Sequence, residues 1–130
     1  MKEDVDKAVA AASDAFKVWK ATSSAERSAI MLKYADLIDA NAEKLASLET
    51  LCMGAPMSLM KQLVQAHSAT FRYYAGLTDK IHGQSYTEDG DGLLKLINYE
   101  PIGVCAGISA WNGTPLSLGW KVRAFELSGA

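Results

Sequence analysis

Two cysteines, two histidines and three prolines in 130 residues leave little material for several common chemistries. Cys52 and Cys105 show no metal-ligand spacing, and two thiols do not make the framework that staples a small secreted domain. No uninterrupted apolar run reaches the roughly 18 residues that a membrane span needs. The opening "MKEDVDKAVAAASDAF" places three acids in its first six residues and has no apolar core of the kind a secretory leader carries. Positive charge is not concentrated anywhere, and the net charge is −2. Nucleic acid is therefore a poor partner for this chain, and so is a membrane. These absences point to a reduced, intracellular, cytoplasmic protein with a small-molecule partner. The length is that of one domain.

What is present reads as helix over the first two-thirds. Val5, Val9, Ala12, Phe16 and Trp19 recur at helical spacing between residues 4 and 20. Ser23 and Glu26 form an S-x-x-E capping box, in which hydroxyl and carboxylate each satisfy an orphan backbone N–H. Behind it Ile30, Tyr34, Leu37 and Ile38 share a face, which resumes at Leu45, Leu48 and Cys52 after a break near Asn41. Gly54 suits a helix stop, and Pro56 suits the first turn of the next helix. That helix is expected to run to about Ile81, with Met60, Leu63, Val64, His67, Phe71 and Tyr74 facing inward and Gly83 ending it.

The pattern then changes. "GQSYTEDGDG" reads as a solvated turn, because its three acids lack the ligand spacing of a calcium loop. Alternation from Leu93 to Asn98 predicts a half-buried strand. "IGVCAGIS", residues 102–109, is apolar at nearly every position and predicts a strand covered on both faces. A final helix is expected from Pro115 through Trp120, Val122 and Phe125. The fold class is α+β: a helical part over 1–83, a β-hairpin or short sheet over 84–110, and a loop with a C-terminal helix over 111–130.

One constellation suggests chemistry. In "GVCAGISAWNGTPLSLGWKV", residues 103–122, an amide at Asn112 and an ammonium at Lys121 lie among the indoles of Trp111 and Trp120. An amide donor and a cation beside aromatic rings suit a developing oxyanion in an apolar pocket. Asn112 could equally cap the final helix. The remaining candidates have plainer readings. His67 shares a face with Met60, Val64 and Phe71 and reads as a packed histidine. His82 reads as a helix C-terminal residue favoured by the dipole. Cys52 and Cys105 read as core residues rather than reactive thiolates. Gly103 and Gly107 make no G-x-G-x-x-G fingerprint.

Five segments in order resemble the N-terminal part of the NAD(P)-dependent aldehyde dehydrogenase superfamily. They are "DVDKAVAAASDAF", "YADLIDANAEKLASLETLCMGAP", "FRYYAGLTDKIHGQ", "YEPIGVCAGISAWNG" and "TPLSLGWK". The resemblance implies an α/β fold, of which this chain is a truncated fragment. It matches Asn112 to the asparagine whose side chain donates to the oxyanion of the thiohemiacetal, Lys121 to a lysine near that site, and Trp120 to a residue lining the substrate tunnel. The sequence departs from the family at Gly113 and Thr114, where a bulky aromatic and a proline are usual, and at "RAFELSGA". The family's nucleophilic cysteine, general-base glutamate, ribose-binding lysine and glycine-rich phosphate turn have no counterpart in residues 1–130.

The resulting expectation has several parts. The chain alone is not competent for NAD-dependent aldehyde oxidation, and its residues hold neither cofactor nor metal. A repurposed role is expected, in which Asn112 and Lys121 serve cofactor-independent, non-redox chemistry of the isomerase or cyclase type on a carbonyl compound. Trp111, Trp120 and the room left at Gly113 would bind the substrate. The alternative is a non-catalytic remnant or a binding module. The apolar strands at 93–109 would need a partner, which predicts a homodimer through their edges. If Asn112 and Lys121 are only structural, the next candidates are Tyr73, Tyr74, His67 and His82 at that interface.

Overall fold

A computed structural model of the chain describes residues 2–86, 90, 92–113 and 117–122. Four helices come first: α1 (Lys2–Trp19), α2 (Ser24–Ala40), α3 (Ala42–Met53) and α4 (Met57–Ala75). A two-stranded antiparallel sheet of β1 (Gln84–Tyr86) and β2 (Lys95–Ile97) follows. Residues 117–122 form a further helical turn. The architecture is α+β. Among the described residues no helix is long and apolar enough to cross a membrane.

Local chemistry explains most helix boundaries. The capping box forms: the Glu26 N–H donates to Ser23 Oγ at 3.2 Å, and the Ser23 N–H donates to Glu26 Oε2 at 3.0 Å. The Ser23 hydroxyl, which donates to Glu26 Oε2 at 2.7 Å, and then the Ser23 N–H hold the Glu26 carboxyl below its ordinary value. The break falls at Asn41, whose side chain donates to the Leu37 carbonyl at 2.8 Å and so ends α2 one residue before α3 begins. Gly54 ends α3 in the left-handed conformation, φ 74°, where a side chain would be strained. Pro56 immediately precedes α4.

The core lies between α2, α3 and α4. Met31, Ala35, Phe71 and Ala75 form one cluster, and Ile38, Ala46, Met60 and Val64 another. The buried stripe of α2 is thus Met31, Ala35 and Ile38. The expected Ile30, Tyr34 and Leu37 are largely exposed. The small Ala35 lets α2 approach α4 closely, which rotates the larger side chains to the flank. Arg72 of α4 pairs with Asp36 and Asp39 of α2, each at 2.7 Å. The Ser68 hydroxyl, and after it Arg72, hold the Asp39 carboxyl below its ordinary value.

Several sequence expectations change. The apolar face of α1 buries no residue. Leu48 and Cys52 are exposed, because α3 turns the Ala46 side toward α4. Cys52 is therefore not a core residue, and Cys105 is only half-buried. α4 stops at Ala75, six residues before Ile81, where the Leu77 N–H turns to the Tyr74 carbonyl in a tighter bond at 2.9 Å. His82 consequently lies in an exposed loop and not at a helix end. Gly83 does not end a helix. Its bare α-carbon lets the chain pass β2 so closely that a Cβ would lie 2.3 Å from the Ile97 carbonyl oxygen. The strand at 93–98 shortens to Lys95–Ile97 and pairs with β1, in the register Gln84↔Ile97, Ser85↔Leu96 and Tyr86↔Lys95. Residues 102–109 form no strand, and Ile102 and Ile108 are 90% and 87% exposed. Apolar β character sets a preference for extension, but a ladder needs a neighbour, and β1 has taken the adjacent one. Thr114, Pro115, Phe125 and the acids of the expected turn lie outside the described residues.

Candidate functional site

The stretch from 103 to 122 begins as an extended segment and ends as a helical turn. The two are tied together: Lys121 Nζ donates to the Ile108 carbonyl. The Ser117 N–H donates to the Gly113 carbonyl at 3.0 Å. Gly113 is buried in the left-handed region, φ 109°, which disfavours any side chain there. The space that a Cβ would enter is nonetheless open, with no atom within 4 Å. Gly113 thus combines a backbone requirement with room beside Asn112.

Asn112 and Lys121 are exposed, as are Trp111 and Trp120. Trp111 and Asn112 precede the turn 117–122, which carries Trp120 and Lys121. The Lys121 ammonium is taken up by the Ile108 carbonyl of the incoming segment, a contact that the sequence did not disclose. Exposure leaves the Asn112 amide accessible to a carbonyl group presented from outside the loop.

The turn is seated on α4 through His67. A Cβ on Gly119 would lie 3.2 Å from His67 Cδ2. The His67 ring stacks on Phe71, with centroids 5.2 Å apart, and both rings meet Tyr34. His67 is only 4% exposed, and burial pushes its imidazole below the ordinary value of 6.5. The packed histidine expected from the sequence is therefore present, with the added role of supporting the candidate loop.

Sequence reasoning missed an apolar groove between α1 and the extended segment. Its volume is about 460 Å³, and Phe16, Trp19, Val104 and Cys105 help to line it. Trp19 and Phe16 were legible as an apolar face, but nothing local said that residues 104 and 105 would lie across from them.

Similarity to known proteins bears directly on this loop. The family model described as "Aldehyde dehydrogenase family" matches residues 1–129. The chain belongs to the aldehyde dehydrogenase family. It is 42% identical over 125 residues to human retinal dehydrogenase 2, covering 93% of this chain and 24% of that protein. A member of family 2 from Arabidopsis thaliana, mitochondrial aldehyde dehydrogenase B4, is 43% identical over 124 residues, with 92% and 23% covered. Among solved structures, an NAD-dependent aldehyde dehydrogenase from Sinorhizobium meliloti superposes with a TM-score of 0.94 at 37% identity. That match covers 99% of this chain and 26% of the other. The chain thus spans about a quarter of the length of the aldehyde dehydrogenases it matches.

The family implies a nicotinamide dinucleotide, and the described residues do not fit one. Residues 102–109 lack sheet neighbours and expose Ile102 and Ile108, so they form no crevice at a strand end. Among the described residues no glycine-rich phosphate turn opens a helix.

Proposed function

We propose that the loop at Trp111–Asn112 is the oxyanion-binding side of an aldehyde dehydrogenase-type carbonyl site, and that this chain alone does not oxidise aldehydes. The observation that carries this reading is the exposed Asn112, which lies between Ile108, bonded by Lys121, and Gly113, bonded by Ser117, in a chain of this family. When a nucleophile adds to an aldehyde carbonyl, negative charge develops on oxygen. A positioned amide N–H stabilises that charge, and one such donor contributes about 10²–10³ in rate. Trp111 and Trp120 supply apolar surface beside it, which strengthens the electrostatics by excluding water once the loop is covered. Lys121 acts by holding the turn.

The apolar surface left open at Val18, Leu51, Ile102, Ile108 and Trp111 supports the same reading. Patches of this kind fit against another surface, and in this family that surface is further dehydrogenase-type sequence. The direct test incubates the purified chain with NAD and a panel of aldehydes and follows nicotinamide absorbance. No turnover is expected. Turnover that persists after Cys52→Ser and Cys105→Ser together would overturn the reading, since no thiol would remain to attack the carbonyl.

The open space at Gly113 favours a second reading. In it a homodimer, joined through residues 93–109, encloses Asn112 and performs non-redox isomerase- or cyclase-type chemistry on a carbonyl compound larger than a simple aldehyde. Light scattering at micromolar concentration separates the two, because a persistent monomer of about 14 kDa removes the second.

A further inference from the structure

Away from the Asn112 loop, α2, α3, α4 and the turn 117–122 surround a cavity of about 260 Å³. Ile38, Leu45, Val64 and Leu118 give it apolar walls, and Tyr34, Glu49 and His67 are its titratable members. The last two carry a buried polar atom with no hydrogen-bond partner, Glu49 Oε2 and His67 Nε2. Buried polar groups are nearly always paired, so two orphans lining one cavity require an explanation. Glu49 as a whole is half-buried, whereas His67 is sealed on most sides. The His67 ring is stacked on Phe71 and faces the Gly119 backbone, and it is 4% exposed.

The chemistry of the missing partner follows from the donor inventory. A carboxylate oxygen accepts only. Burial pushes the His67 imidazole below its ordinary value and so favours the neutral ring, whose Nε2 accepts when the proton sits on Nδ1. Two acceptors beside aliphatic walls suit a head group that only donates, carried on a short apolar tail. A positive head group also answers the Glu49 charge, and charge-assisted bonds are the strong ones. The volume lies below the roughly 300 Å³ at which pockets accept drug-sized ligands, so the tail is short. We propose that this cavity binds a primary alkylammonium, its nitrogen donating to Glu49 Oε2 and His67 Nε2 and its alkyl chain lying against Ile38, Leu45, Val64 and Leu118. The site uses neither Asn112 nor Lys121 and stands independently of the aldehyde reading.

The test uses the full wild-type chain and n-butylammonium chloride at neutral pH, with n-butanol and ammonium chloride as controls. The two histidines give separate imidazole signals in proton–carbon NMR spectra. The expected result is a saturable shift of the His67 signal with butylammonium, absent for His82 and for both controls. Glu49→Gln should weaken binding by about tenfold or more, the usual loss for a hydrogen bond to a charged group. No saturable shift in the wild-type chain would overturn the proposal, whatever the variant does. An equal response to n-butanol would overturn the cationic assignment and leave an alcohol site in its place. Undiminished binding by a folded Glu49→Gln chain would remove Glu49 from the site and contradict the proposal.

Discussion

Gly119 lies against His67 so closely that a methyl group on it would sit 3.2 Å from the His67 Cδ2 atom. Phe71 stacks on the ring and Tyr34 flanks it, which limits how far it can give. Gly119→Val should therefore destabilise the chain by about 1–3 kcal/mol, the usual range for overpacking. It should also displace the turn that carries Trp120 and Lys121. Urea denaturation measures the first effect, and the Lys121 ammonium resonance the second. A Gly119→Val chain as stable as wild type would show that the turn is not seated on α4.

His67 also makes stability depend on pH. Its folded value is depressed by burial, from an ordinary 6.5. Between the depressed value and 6.5 the unfolded chain binds more protons than the folded one, so stability falls as pH drops through that window and levels off above it. Glu49 and Tyr34 line the same cavity as the ring, and Glu26 and Asp39 add their own acid losses only below 4.5 and 3.8. Urea midpoints measured from pH 5 to 8 should rise toward neutrality in wild type. The slope near pH 6 should flatten in His67→Phe.

The cysteines should separate by access. Cys52 is exposed on α3, whereas Cys105 is half-buried in the groove beside α1, its thiol 3.5 Å from the Gly103 carbonyl. Iodoacetamide followed by peptide mass spectrometry should find Cys52 alkylated well before Cys105. Equal rates would mean that α1 does not cover the extended segment in solution.

Features decided within a few residues were legible in the sequence. The Ser23–Glu26 capping box, the Asn41 break and the Gly54 stop are each set by one local hydrogen bond or one backbone angle. Features decided by distant neighbours were not. The apolar run at 102–109 announces extension without naming a ladder partner, and β2 pairs with β1 instead. The α2 stripe shifted by one residue because Ala35, and not a larger side chain, meets Phe71. Asn112 and Lys121 were legible as polar groups among indoles, yet the bond from Lys121 to Ile108 depends on the path of the intervening loop. Glu49 and His67 gave no joint signal, because they sit on different helices and only packing brings them to one cavity.

The role of Asn112 is tested most directly in a continuous dehydrogenase. Residues 1–130 would replace the matching quarter of the Sinorhizobium meliloti NAD-dependent aldehyde dehydrogenase, and kcat for aldehyde oxidation would be compared with and without Asn112→Ala. The chimera should retain aldehyde oxidation, and the substitution should lower kcat by about 10² with the fold intact. A folded, active chimera whose kcat is unchanged by Asn112→Ala would contradict the assignment of this loop as the oxyanion-binding side of the site.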